Sequence, residues 1–189
     1  MFLTTISFLA LTARGQQVAQ GSEELYSAVE ARSIQEVERI LKSGVHPDMT
    51  ERGIGGSQST VLFRLCFWAS SPNELASDPS KDEELASLLI AHGASLYPGN
   101  SSILHRAGNL GALGVLRACL KAGCDPNELF HERRPLCEAL GPNLVLQGEY
   151  RKKEAPVRPL MIKELIEAGA DVHLPVKGNG SKALHIAAY

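Results

Sequence analysis

The chain has 189 residues, with 19 Lys and Arg against 21 Asp and Glu and a formal net charge of -2. That balance argues against a nucleic-acid footprint spread over the whole domain. No apolar run reaches the roughly 18 residues that mark a membrane span, and an aromatic share of 5% is low for a β-sandwich or a sugar-binding cleft.

Residues 1–13 (MFLTTISFLALTA) carry no charged side chain, and a polar stretch follows. The block has the size of a signal-peptide core, and Ala13-Arg14-Gly15 fits small-x-small cleavage before Gln16. The expectation is a signal peptide over 1–15, a polar linker over 16–21 and one domain over 22–189. An apolar strap on the first structural unit is the alternative. Cys66, Cys119, Cys124 and Cys137 form no CxxC pair, and their positions predict small buried hydrophobes.

In chain order, one pattern recurs: an apolar helix end, then Gly, a small residue and often Asp. It reads ERILKSGVHPD at 38–48, ASLLIAHGASL at 86–96, LRACLKAGCDPN at 116–127 and IKELIEAGADVH at 162–173. Gly44, Gly93, Gly123 and Gly169 sit where a helix stops by entering the left-handed region. A second helical signal precedes each: LYSAVEA at 25–31, VLFRLCFWA at 61–69, ILHRAGNLG at 103–111 and PLCEAL at 135–140. A fifth copy begins with KALHIAAY at 182–189, and its apolar edge at Leu184, Ile186 and Tyr189 leaves a monomer or a weak dimer open. Ser33 with Glu36, and Ser80 with Glu83, predict capping boxes.

This pattern resembles the ankyrin repeat. The copy at 103–127 aligns on it without a gap, and His105 and His185 fall on its helix-start histidine. Asp125, Asn127 and Asp171 fall on its loop-opening polar residues, whereas Phe63 and Cys137 replace the histidine in two copies. The resemblance implies an all-α solenoid of stacked helix–turn–helix units, four and a half in number. Gly93 and Gly123 are 30 residues apart, near the family period of about 33. Gly44 to Gly93 spans 49 and Gly123 to Gly169 spans 46, which predicts insertions near 70–80 and 141–159.

The sequence contains no GxSxG elbow, P-loop or HExxH, and its six histidines lie at repeat-scale separations. The reading is therefore non-enzymatic, with no catalytic residue, metal or cofactor, and with His105 and His185 pinning repeat starts. The resemblance implies recognition of a protein partner by loop tips and first helices. The tips fall near 49–57, 97–101, 130–133 and 174–180, with Met49, Arg52, Tyr97, Asn100, Phe130, His131, Arg133 and Lys177 as candidate contacts. Aromatic and Arg side chains supply most interface hot spots.

The insertions add two charged lobes. Glu74, Asp78, Asp82, Glu83 and Glu84 against Lys81 give the first a net of -4. Arg151, Lys152, Lys153 and Arg158 against Glu149 and Glu154 give the second a net of +2, with Tyr150 and Leu144–Leu146 adding apolar surface. Lobes of opposite sign would steer a partner of mixed charge, and Trp68 is expected to anchor the first. Among small exported bacterial proteins with this pattern are antidotes to toxins, phospholipases included. The leading functional expectation is a periplasmic immunity or inhibitor protein that occludes a toxin. An adaptor, scaffold or secreted effector is the alternative, in the cytoplasm if the leader is retained.

Overall fold

In the computed structural model the described residues are 20–49, 60–70, 78–140, 157–175 and 182–183. They form an all-α solenoid of stacked helix–turn–helix units, as expected. The helices are α1 over residues 20–30, α2 (Ile34–Lys42), α3 (Val61–Ser70), α4 (Pro79–Ala91), α5 (Ile103–Leu110), α6 (Leu113–Lys121), α7 (Pro135–Leu140) and α8 (Arg158–Glu167). The sole strand-like pairing among these residues is an isolated bridge between Phe130 and Arg133. The expected leader 1–15, both insertion tips (71–77 and 141–156) and the apolar edge at 184–189 lie outside the described residues.

Two layers follow from the packing. The first helices α3, α5 and α7 pack in sequence, and the second helices α2, α4, α6 and α8 do the same beside them. Burial matches these roles. On α2 a single stripe is buried, Val37, Ile40 and Leu41, which is the pattern of a helix with one covered face. On α3 six of ten residues are buried, including Val61, Leu62, Leu65 and Cys66, because neighbours cover it on several sides. Cys66, Cys119 and Cys137 are buried and Cys124 is half-buried, and all four thiols are free. Burial pushes the Cys66 thiol up to about 12, so it behaves as a small hydrophobe.

The second helices end alike. Gly44, Gly93, Gly123 and Gly169 have φ of 95°, 92°, 88° and 97°. The next amide then reaches back to a helix carbonyl: Ala94 donates to Leu89, Cys124 to Cys119 and Ala170 to Leu165. This is the closing bond that a left-handed residue makes possible. Past each glycine the loop makes one repeated turn. His46 Nδ1 accepts from the Asp48 amide at 3.1 Å, and Ser95 Oγ from Tyr97 at 3.1 Å. Asp125 accepts from Asn127 at 2.8 Å and Asp171 from His173 at 2.7 Å.

Adjacent loops are also tied together. Both Asp48 carboxylate oxygens accept from the Ser95 amide at 3.0 Å. Two units later Asn127 accepts from the Asp171 amide at 2.7 Å and donates to the Gly169 carbonyl at 2.8 Å. The seam between these two carries Tyr97 at the corresponding position, and its hydroxyl donates to Glu128 at 3.2 Å.

Several expectations are corrected. Ser33 caps α2 by position but makes no side-chain cap bond, and Glu36 instead accepts from Arg39. The Ser80–Glu83 capping box does not form, because α4 starts earlier. Asp78 is its N-cap, accepting from the Ser80 and Lys81 amides, with Pro79 opening the helix. Asp82 is not on an exposed acidic lobe: it is fully buried and pairs with Arg32 at 2.9 Å. Glu83 also turns inward, toward Lys121 and Arg117. The Trp68 ring stands edge-on to Tyr26 at 6.4 Å and so braces α3 against α1, while the insertion tip it was expected to anchor lies outside the described residues.

Candidate functional site

The loop tips and first helices border a cavity of about 290 Å³. Its lining comes from α3 (Phe63), the 100–102 segment, α5 (His105, Arg106, Asn109), the 130–131 tip and α7 (Glu138). Of the candidate contacts, Asn100, Phe130 and His131 meet here.

His105 holds the wall in place. Its Nε2 lies 3.1 Å from the Arg133 carbonyl and its Nδ1 lies 3.0 Å from Ser102 Oγ. A carbonyl only accepts, so Nε2 carries the proton and Nδ1 accepts from the serine. This is the pinning role expected for that histidine, and it ties α5 to the following tip. Burial holds the imidazole below its ordinary value of 6.5, outweighing the carbonyl contact that favours the cation. The unfolded chain takes up the proton near 6.5, and the folded chain only at lower pH. In that window the unfolded state binds more protons, so stability should fall as pH drops through about 6.5 toward the folded value. Urea midpoints measured between about pH 7 and pH 5 should show this loss in the native chain and a smaller one in His105→Gln. Equal loss in both chains would remove His105 from the account.

The 130–133 tip is a tight two-residue turn. Phe130 and Arg133 exchange backbone hydrogen bonds at 2.9 and 3.0 Å. Between them His131 and Glu132 sit at φ of 45° and 65°. Two left-handed residues suit such a turn sterically only when they are Gly, Asn or Asp, so this one stores strain. Ring contacts offset it: Phe130 lies 5.5 Å from His105 and 4.4 Å from His131, the latter edge-on. His131 Nε2 also reaches the Asn100 carbonyl at 3.4 Å.

Charge in the cavity is unevenly satisfied. Glu138 accepts from Asn109 at 2.7 Å and pairs with Arg133 at 2.6 Å. Arg106 lies over Phe63 and Phe67, with its guanidinium carbon 4.9 and 4.4 Å from the ring centres. Its Nε is buried without a hydrogen-bond partner among the described residues. Sequence reasoning missed Arg106. The usable signal was its place one residue after His105, where the first helix turns from the pinned face to the open one.

The other candidates are dispersed. Tyr97 is exposed at 47% and holds Glu128. Met49 is half-buried, with its amide donating to the His46 carbonyl. Arg52, Lys177, Tyr150, Arg151 and Lys152 lie outside the described residues. No group of three or more His, Cys, Asp or Glu among the described residues is placed to hold a metal ion. No described helix is long and apolar enough to cross a membrane.

No family model matches the chain, and no curated protein matches it. Among solved structures it is similar to EF0377, described as an ankyrin repeat protein. The TM-score is 0.42 at 18% identity, covering 88% of this chain and 91% of that one.

Proposed function

We propose that the chain is a protein-binding module that works through the open face formed by its first helices and loop tips. The observation that carries this reading is the cavity itself, walled by the tip at 130–131 and by α3, α5 and α7. Its tip turn is held in a strained geometry by an edge-on ring contact. Strain of this kind persists where surrounding contacts over-determine a segment, and it gathers at binding sites. Tyr97 adds an exposed aromatic on the same row of loops.

The finer form of the proposal is an inhibitor or immunity protein that covers the active site of an exported toxin, such as a phospholipase. Its support is in the sequence, in the uncharged apolar residues 1–13 with a small-x-small site behind them. A rigid stack loses little freedom on binding, so a standard interface of about 1,600 Å² suffices to block a partner.

The test is photo-crosslinking in the source cells, with the reactive residue placed at Tyr97, and at the outward Lys163 as control. A discrete adduct from Tyr97 alone identifies the binder. Its affinity for the Tyr97→Ala chain should be at least about tenfold weaker, with an unchanged melting temperature. Unchanged affinity would remove the tip row from the interface. A binder whose own activity persists when saturated would sink the inhibitor form, as would a full-length mass for cytosolic protein.

A further inference from the structure

Among the described residues the Arg106 side chain makes no hydrogen bond or ion pair, and its Nε is buried. Two other polar side chains of the cavity wall are fully engaged. The sole carboxylate lining it among the described residues, Glu138, is held by Arg133 and Asn109. Both nitrogens of His105 are engaged. The outer face behaves differently, since Arg117 pairs there with Glu164 at 2.7 Å and Lys121 with Glu83. At Arg106 the charge of Glu138 is felt at longer range, with no hydrogen bond or ion pair between them among the described residues.

That arginine is also held still. Two rings lie against its guanidinium carbon, so little rotamer freedom is left to lose on binding. Nε is covered, which leaves the terminal nitrogens as the reachable donors. A guanidinium presents parallel N–H groups that match the two oxygens of a carboxylate. The cavity volume of about 290 Å³ lies at the lower limit for small-molecule sites, which run from about 300 Å³ upward. It suits a single side chain better than a cofactor. Asn100, Ser101 and His131 on the rim can hydrogen-bond the backbone that delivers it.

We propose that Arg106 is the anchor for a carboxylate of the protein partner: a Glu or Asp side chain on an exposed loop enters the cavity and pairs with the ring-flanked guanidinium. This rests on the protein-binding reading above. Burial of the pair from water makes it specific, since a neutral isostere brings no charge to the guanidinium.

The probe is the capped pentapeptide acetyl-Gly-Ser-Glu-Ser-Gly-amide, titrated into the full chain while the arginine Nε–Hε resonances are followed by NMR. Arg106→Lys assigns the relevant signal. The Glu peptide should shift the Arg106 resonance saturably and the Gln counterpart should not. An equal response to both peptides, or none to either, overturns the proposal. A response to inorganic phosphate at lower concentration than to the Glu peptide also overturns it, in favour of a phosphorylated ligand. With the crosslinked binder in hand, Arg106→Gln should weaken affinity at least about tenfold, and Arg106→Lys by less, both with unchanged melting temperature. If Tyr97→Ala weakens binding and neither Arg106 variant does, the binding face stands and the anchor falls. If none of the three variants weakens it, both readings fall.

Discussion

Replacing Gly114 with Ala should lower the unfolding free energy by on the order of 3 kcal/mol or more. Gly114 lies in the first turn of α6, where that helix meets the start of α4. A methyl group there would stand 2.3 Å from the Pro79 carbonyl oxygen, 2.7 Å from the Glu83 amide nitrogen and 2.9 Å from Asp82 Cβ. None of these atoms is the far end of a flexible side chain, so relief requires moving α4 bodily. The α4–α6 contact is an extensive one among the described helices, and separating it exposes Leu85, Leu89, Val115 and Leu116, all fully buried. Gly108→Ala is the comparison, since its methyl would meet the Pro135 carbonyl at 3.3 Å, a clash that a small shift relieves. Urea unfolding followed by circular dichroism measures both. A Gly114→Ala midpoint no lower than that of Gly108→Ala would show that the two helices slide apart without cost.

Asp82→Ala should cost about 3–5 kcal/mol, the usual penalty for leaving one member of a buried pair alone. Side-chain exposure is 7% for Arg32 and 1% for Asp82, at 2.9 Å. Arg32 also donates to the Trp68 carbonyl at 3.1 Å, so the pair joins the first unit to both helices of the second. The backbone adds to the dependence. Arg32 has φ of 53°, a left-handed conformation that costs a non-glycine residue about 1–2 kcal/mol. In the third unit the same turn is made by Gly111 at φ of 83°. The ion pair is what holds arginine in a glycine position. Joint replacement by Arg32→Gly and Asp82→Leu should therefore recover part of the loss. A double variant as unstable as Asp82→Ala would mean that the pair is not the coupling between these units.

The repeat architecture was legible because glycine stops and apolar stripes recur in register, and both are local signals. Gly44, Gly93, Gly123 and Gly169 each end a second helix as expected. His105 was legible for the same reason, since its place in the repeat implied a pin. Several of the errors concern charge. Asp82 reads as a lobe residue because four other acids surround it in sequence, and its partner Arg32 lies 50 positions away. Sequence spacing carries no trace of that pairing. Asp78 and Ser80 compete for the same cap, and the Pro79 ring decides it by opening the helix between them. Arg106 escaped notice because its distinction is a buried Nε without a hydrogen-bond partner, which only the assembled fold can reveal.

The four loop turns use an imidazole, a hydroxyl and two carboxylates for one task, accepting the amide two residues on. What the turn demands is an acceptor at a fixed reach, and several residue types supply it. The code for this loop is therefore degenerate. Substitutions can accumulate at His46, Ser95, Asp125 and Asp171 without altering the path of the backbone, provided an acceptor remains. Identity between repeats can decay while the stack keeps its geometry, and surface chemistry along the row of tips is left free to vary from one unit to the next.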